Sequence, residues 1–227
     1  MPSARTITSH IRLQGCEDGH LRFIDVNTRE TRHSMVHTEP SPEDTSGQTD
    51  GVLALALSSD EAFLISASYT SVKIMTFDRV FPERTGVADT TSAGTWWIEG
   101  HDGPVRALAA SQDYAVSGCA DCTVRVFARV PVDKHEELGK DDPQIGDLIG
   151  TVGGHGGEVT ALAISEDQHF IVSGSSDAKV RVAALESPIH TQFSIVDTMA
   201  FAAPISSVAL WGNDLAVGVG GKCYVIR

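Results

Sequence analysis

Three residue types in the stretch "GGHGGEVTALAISEDQHFIVSGSSDAKVRV" (Gly153 to Val182) could do chemistry together: His155, Ser173 and Asp177. A hydroxyl, an imidazole and a carboxylate are the parts of a nucleophilic hydrolase, in which the imidazole takes the hydroxyl proton and the carboxylate holds the imidazole. The same types recur at His101, Ser117 and Asp121. "CADC" (Cys119 to Cys122) has the spacing of half a metal site or a redox pair. "GGHGG" (Gly153 to Gly157) has the glycine content of a phosphate cradle.

None of these chemistries finds the context it needs. A hydrolase requires one exposed nucleophile beside an oxyanion hole. Here the trio occurs twice, with its histidines 54 residues apart. A set needed once per repeat is architecture, so no catalytic residue is assigned. A structural zinc requires a second pair of ligands; Cys16 and Cys223 each stand alone, so metal and cofactor are both read as none. "GGHGG" is followed by Glu158 and a strand, whereas a phosphate loop opens a helix. Its glycines are read as supplying positive φ at a tight entry. His10, His20, His33, His37, His135, His169 and His190 show no metal spacing and read as surface or turn histidines.

The elements that must position these residues follow from an internal repeat. "GHDGPVRALAASQDYAVSGCADCTVRVF" (Gly100 to Phe127) aligns with the opening stretch: Val105 falls on Val159, Gly118 on Gly174, Asp121 on Asp177 and "TVRV" on "KVRV". Weaker copies run from Gly47 to Phe77, with Gln48 in the histidine place, from Ile11 to Val26, and from Ala203 to Ile226. Inside each copy the apolar period is two, in runs bounded by Gly, Ser and Asp. These are strands. Each copy gives three strands and a fourth, weaker one: "TRHSMV", "TWWIEG", "DLIGTVG" and "TQFSIV". Adjacent Trp96 and Trp97 in the second of these must point to opposite faces. One can then fill a gap between sheets while the other looks outward, or both fill gaps; Trp96 and Trp97 are the candidate partner contacts. Three polar connections, Thr38 to Asp50, Arg79 to Gly94 and Pro131 to Gly146, read as solvated loops.

These residues resemble the WD-repeat β-propeller family. The Gly–His element stands at Gly100–His101 and Gly154–His155, and the turn Asp at Asp18, Asp121 and Asp177. Of the Trp–Asp pair only Asp25 survives, so the subfamily is unassigned. The resemblance implies a buried hydrogen-bonded chain in each blade, made of His101, Ser117 and Asp121, then His155, Ser173 and Asp177. Phe127 and Ala183 stand where the family has Trp, which removes an indole from each chain. It also implies an all-β propeller of four full blades and a partial fifth, open or part of a larger propeller. The expected blades are 1–51, 52–101, 102–155, 156–202 and 203–227, with the innermost strand of the first near Met1.

The net charge is −13 over 227 residues. Such a surface repels phosphate backbones and anionic lipid, so neither nucleic acid nor membrane is expected as a direct partner. No apolar leader or membrane-length run is present in "MPSARTITSH" or beyond. An intracellular protein, cytoplasmic or nuclear, with reduced thiols is expected. The functional expectation is a non-enzymatic protein–protein interaction scaffold, a subunit of a larger assembly that presents loops and edges. Protein partners, one of them completing the propeller, are expected, and no small-molecule substrate. The alternatives are a propeller subunit of ribosome biogenesis, in pre-rRNA processing, and a Ser/His/Asp hydrolase.

Overall fold

A computed structural model describes residues 11–37, 51–59, 62–69, 71–76, 95–98, 100–129, 144–185, 193–212 and 214–227. The expected innermost strand near Met1 and most of the three polar connections lie outside the described residues. So does Gln48.

The short period-two runs form antiparallel sheets. Sheet 1 holds β1 (Ile11–Gly15), β2 (His20–Asp25) and β3 (Thr31–Val36). Sheet 2 holds β4 (Ala54–Leu57), β5 (Phe63–Ala67), β6 (Val72–Thr76) and β7 (Thr95–Ile98). Sheet 3 holds β8 (Val105–Ala110), β9 (Tyr114–Cys119), β10 (Val124–Ala128) and β11 (Leu148–Val152). Sheet 4 holds β12 (Val159–Ile164), β13 (Phe170–Ser175), β14 (Lys179–Leu185) and β15 (Phe193–Ala200). Sheet 5 holds β16 (Ile205–Trp211), β17 (Asp214–Val219) and β18 (Lys222–Ile226). In every sheet the strands pair in chain order.

Each sheet stacks on the next, and each junction has its own apolar cluster. Leu21 and Phe23 meet Leu64 and Met75 between sheets 1 and 2. Phe63, Ile65 and Ile74 meet Ala115 and Phe127 between sheets 2 and 3. Val116 and Val126 meet Ile171 and Leu185 between sheets 3 and 4. Val172 and Val180 meet Leu215 and Val217 between sheets 4 and 5. Among the described residues no packing of comparable extent returns from sheet 5 to sheet 1. The result is an open arc of a propeller.

The double coverage explains why β5 and β9 are buried along their whole length. In β9, Tyr114 and Val116 face sheet 4 while Ala115 and Ser117 face sheet 2. A strand covered on both faces cannot show polar alternation.

One contact recurs at the junctions. A glycine near the end of the second strand receives the β-branched residue that opens the next sheet. A Cβ placed on Gly15 would lie 2.6 Å from Val52 Cγ1; on Gly118, 2.5 Å from Val159 Cγ1; on Gly174, 2.5 Å from Ile205 Cγ2. Ala67 takes this place in sheet 2, in the same cluster as Val105. Backbone bonds add to the seat: Val52 N donates to Cys16 O at 3.0 Å, and Val105 N to Tyr69 O at 3.1 Å. The sheets approach this closely because a side chain is missing at that spot.

Gly174→Ala therefore overpacks the junction of sheets 4 and 5 and lowers stability by about 1–3 kcal/mol in denaturant melts. Gly153→Ala, whose Cβ would meet nothing within 4 Å, leaves the melt unchanged within about 0.5 kcal/mol. Equal effects at the two positions would show that the seat is not tight.

Candidate functional site

The tight turn between the second and third strands places an aspartate, and the loop entering each sheet places a histidine. In sheet 3, His101 Nδ1 lies 2.9 Å from Asp121 Oδ2 and His101 Nε2 lies 2.6 Å from Ser117 Oγ. In sheet 4, His155 Nδ1 lies 3.1 Å from Asp177 Oδ2 and His155 Nε2 lies 2.9 Å from Ser173 Oγ. The structure thus brings both sequence-derived trios together. Neither serine reaches solvent: Ser117 is 0 % and Ser173 2 % exposed.

The aspartates also close their own turns. Asp121 accepts from Thr123 N and Oγ1 and from Asp102 N. Asp177 accepts from Lys179 N and Gly156 N. Gly154, at φ 99°, makes the entry to this loop, as Gly100 does at φ 126° in sheet 3. The other glycines of "GGHGG" have no positive φ, so only Gly154 serves the purpose foreseen for all of them.

A fourth member was not seen in the sequence. Arg181, opposite Ser173 in the ladder, sets Nη1 2.5 Å from His155 Nδ1 and donates to Asp177 Oδ2 at 3.1 Å. Ser173 Oγ in turn donates to Arg181 O at 3.5 Å. Arg125, opposite Ser117, stands 3.9 Å from Asp121 Oδ2. Arg22 pairs with Asp18 in sheet 1. In all three the arginine follows the aspartate by four residues across the turn. In sheet 4 Arg181 supplies a donor where the indole is missing; Arg125 stands at ion-pair distance only. The signal was present in "TVRV" and "KVRV", where it reads as ordinary polar alternation.

Sheet 2 corrects the reading of His37 as a surface or turn histidine. His37 is fully buried. Its Nδ1 lies 2.7 Å from Ser66 Oγ and its Nε2 3.4 Å from Ser71 Oγ. Lys73, which faces Ser66 as Arg125 faces Ser117, donates to His37 O at 3.0 Å and Val36 O at 3.3 Å. His37 therefore holds the histidine place that the sequence alignment gave to Gln48. The long segment 38–50 separates it from its sheet, and that distance hid it. Trp97 covers the cluster: its ring lies 4.4 Å from Lys73 Nζ and meets His37 edge-on at 5.5 Å. Trp97 is 44 % exposed, while Trp96 packs inward against Phe63.

In sheet 5 all polar members are gone together. Val217 stands in the serine register and Tyr224 in the arginine register. Phe201 enters from the histidine side, 5.8 Å from Tyr224. A buried polar set costs free energy when it is incomplete. In sheet 5 rings take the place of the whole set, Phe201 against Tyr224.

His101, Cys119 and Asp121 offer three ligand atoms within 4.8 Å. The sister copy explains this cluster. Cys119 Sγ donates to Gly103 O at 3.1 Å and accepts from Asp121 N at 3.3 Å. Ser175 Oγ donates to Gly157 O at 3.0 Å and accepts from Asp177 N at 3.0 Å. A hydroxyl does the same work in the same place. Burial also pushes the Cys119 thiol up to about 11, away from the thiolate that zinc or redox chemistry uses. Cys122 sits apart, its Sγ 3.7 Å from Ala120 O.

Charge follows from these contacts. Burial lowers the pKa of His37 to about 4, with Lys73 adding to the effect. Burial lowers His101 and His155 as well, against the pull of their aspartates. Burial raises Asp121 and Asp177, but hydrogen bonds more than offset it, from Thr123 and His101 and from Gly156, His155 and Arg181; both carboxyls lie well below the ordinary range. The imidazoles are therefore neutral and the carboxylates charged at pH 7.

Two measurements test this. A histidine whose folded pKa is depressed stabilises the fold fully above its unfolded pKa and loses that contribution as pH falls toward its folded value. For His37 the window runs from about 6.5 down to about 4. The aspartates act in the same sense below their unfolded value. Stability falls by about 2 kcal/mol between pH 7 and pH 5 through His37 alone, and His37→Gln removes that slope. Separately, His155→Ala leaves Ser173 and Asp177 short of a partner and costs about 2–3 kcal/mol at pH 7, read by denaturant melts. A loss below 0.5 kcal/mol would contradict a sealed network.

The repeated geometry has a counterpart among known families. The model of the WD domain, G-beta repeat, matches residues 41–74, 92–127 and 146–182. No curated protein matches the chain significantly. The three matched segments contain the polar sets of sheets 2, 3 and 4 except His37, and the chain is a WD-repeat protein.

Proposed function

We propose that this chain is a non-enzymatic scaffold for protein–protein interaction, a subunit of a larger assembly that presents loop and edge surfaces. WD repeats generally mediate such contacts. The observation that carries the reading is the outer face of sheet 5. The alternation of β16 to β18 puts Trp211, Ala216, Gly218 and Val225 on one face, turned away from sheet 4. Trp211 is 85 % and Val225 61 % exposed. The three atoms nearest a Cβ on Gly218 belong to Ser206 and Ser207 of its own sheet. Gly218 stands in register with the glycines that seat the next sheet elsewhere. An apolar face of this kind marks an interaction site. Trp97 and the long exposed strand β15 are further candidate contacts, the latter carrying Ile195 and Val196 outward. Among the described residues no helix is long and apolar enough to cross a membrane.

The His/Ser/Asp sets support the same reading as blade-locking structure. A serine sealed from solvent, with a neutral imidazole occupied on both nitrogens, has no substrate to attack. Blade boundaries at 1–51, 52–101, 102–155, 156–202 and 203–227 belong to this proposal.

Native mass measurement of the chain purified with its bound partners, against Trp211→Asp and Val225→Asp, tests the scaffold. Both variants shed a defined partner while keeping the melting temperature, because they alter only the open face. Ser117→Ala and Ser173→Ala lower the melting temperature and change no hydrolysis of ester or amide substrates. Partner retention in both surface variants would overturn the assignment of that face. Hydrolysis that disappears in a serine variant with an unchanged melting temperature would restore the enzyme.

A further inference from the structure

The outer strands β3, β7, β11 and β15 each end their sheet, and among the described residues none has a ladder partner on its far side. Such an edge offers a row of amides and carbonyls to any further strand, and proteins blunt it by shortness, by charge or by burial. Sheet 2 uses shortness: β7 has four residues. Sheets 1, 3 and 4 each carry a bulge with one extra residue in the outer strand. In β3 the extra residue is Arg32, a charge paired with Asp25 at 2.7 Å. In the five-residue β11 it is Ile149, which is 8 % exposed and packs in the cluster between sheets 3 and 4.

β15 has none of these protections. It runs eight residues, the longest strand described. Its extra residue is Val196, 53 % exposed, with Ile195 beside it at 43 %. The strand "FSIVDTMA" holds no lysine, arginine or proline, and its one charge is Asp197. At the exposed surface Thr198 N donates to Asp197 Oδ1 at 2.7 Å. A backbone amide of the edge strand is thus held by a side chain and not by a ladder carbonyl. Sheet 4 is covered on both faces, by sheets 3 and 5, so what stays open on it is this edge.

We infer that β15 takes a fifth strand, supplied by a partner protein as an extended segment with apolar side chains over Val196 and a lysine or arginine beside Asp197. On docking, a carbonyl of the incoming strand replaces Asp197 at Thr198 N, and the released carboxylate pairs with the cation. Backbone bonds give the affinity, and alternate side chains give the selectivity. Charge decides between a basic partner and a second copy of this chain. Two copies would bring −13 against −13, whereas a cationic segment is drawn in by the same field.

The inference names the docking mode and the partner chemistry for the scaffold proposed above, and rests on that reading only for the source of the strand. Its test uses isolated peptides on the full chain, so it stands or falls apart from partner loss in Trp211→Asp and Val225→Asp. The probe is acetyl-Thr-Val-Lys-Val-Thr-amide, with a counterpart carrying Glu for Lys, titrated at millimolar concentration and followed by amide NMR shifts. The Lys peptide shifts the amides of Ile195, Val196, Asp197 and Thr198 saturably. At low salt it binds at least about threefold more tightly than the Glu peptide, and Asp197→Asn removes that preference and its salt dependence. Two N-methylated forms of the Lys peptide, one methylated on both valines and the other on the remaining three residues, separate a ladder from loose apolar contact. One form loses at least about tenfold in affinity and the other keeps it, because only alternate amides of an added strand face β15. Equal affinity of the two forms overturns the added strand. Glu peptide binding as tight as Lys overturns the cation. No saturable shift with any peptide overturns β15 as a docking edge. A concentration-dependent dimer in sedimentation, abolished by Thr198→Pro, assigns the edge to a second copy and overturns the partner strand.

Discussion

A β-branched residue seated on a glycine of the preceding sheet is the contact on which this structure depends. Val52 on Gly15, Val159 on Gly118 and Ile205 on Gly174 each bring two sheets within van der Waals distance at a strand end. The larger side chains of each junction cluster fill the rest of the interface. No sheet in the arc has enough apolar area to hold its shape alone, so stability is a sum over neighbours. The glycine is where that sum is most sensitive to a single atom.

The polar sets add a second constraint to this contact. Each ties the loop that enters a sheet to the turn between its second and third strands, and so fixes how the entering chain meets the seat. Sheet 4 shows the full form, with His155 paired on both nitrogens and Arg181 bridging imidazole and carboxylate. Sheet 2 shows a version in which, among the described residues, Ser71 and Lys73 complete the set around His37 and Ser66. Sheet 5 shows the apolar substitute, Phe201 against Tyr224. Three solutions to one geometric requirement, in one chain, indicate that the requirement is positional and not chemical. A catalytic group could not be exchanged for a phenyl ring.

The surfaces left over from stacking are those the proposed scaffold offers to partners. The inner faces are spent on neighbours, and the titratable groups are spent on locking loops. What remains is the outer face of sheet 5, the edge strand β15, and Trp97 over Lys73. They are apolar or aromatic areas within a strongly acidic molecule, a composition suited to protein partners that bring positive charge.

The sequence by itself determined the strands, the repeat and both His/Ser/Asp trios, because a period of two and a recurring residue pattern are properties of the chain itself. It determined the opposite orientations of Trp96 and Trp97 for the same reason. Only the tertiary structure decided that His37, followed by a long polar segment, belongs to sheet 2, since a histidine is recruited by nearness to Ser66 and not by spacing along the chain. It also decided that Arg125 and Arg181 serve buried carboxylates. An arginine in an alternating strand looks solvent-facing until the neighbouring sheet covers it.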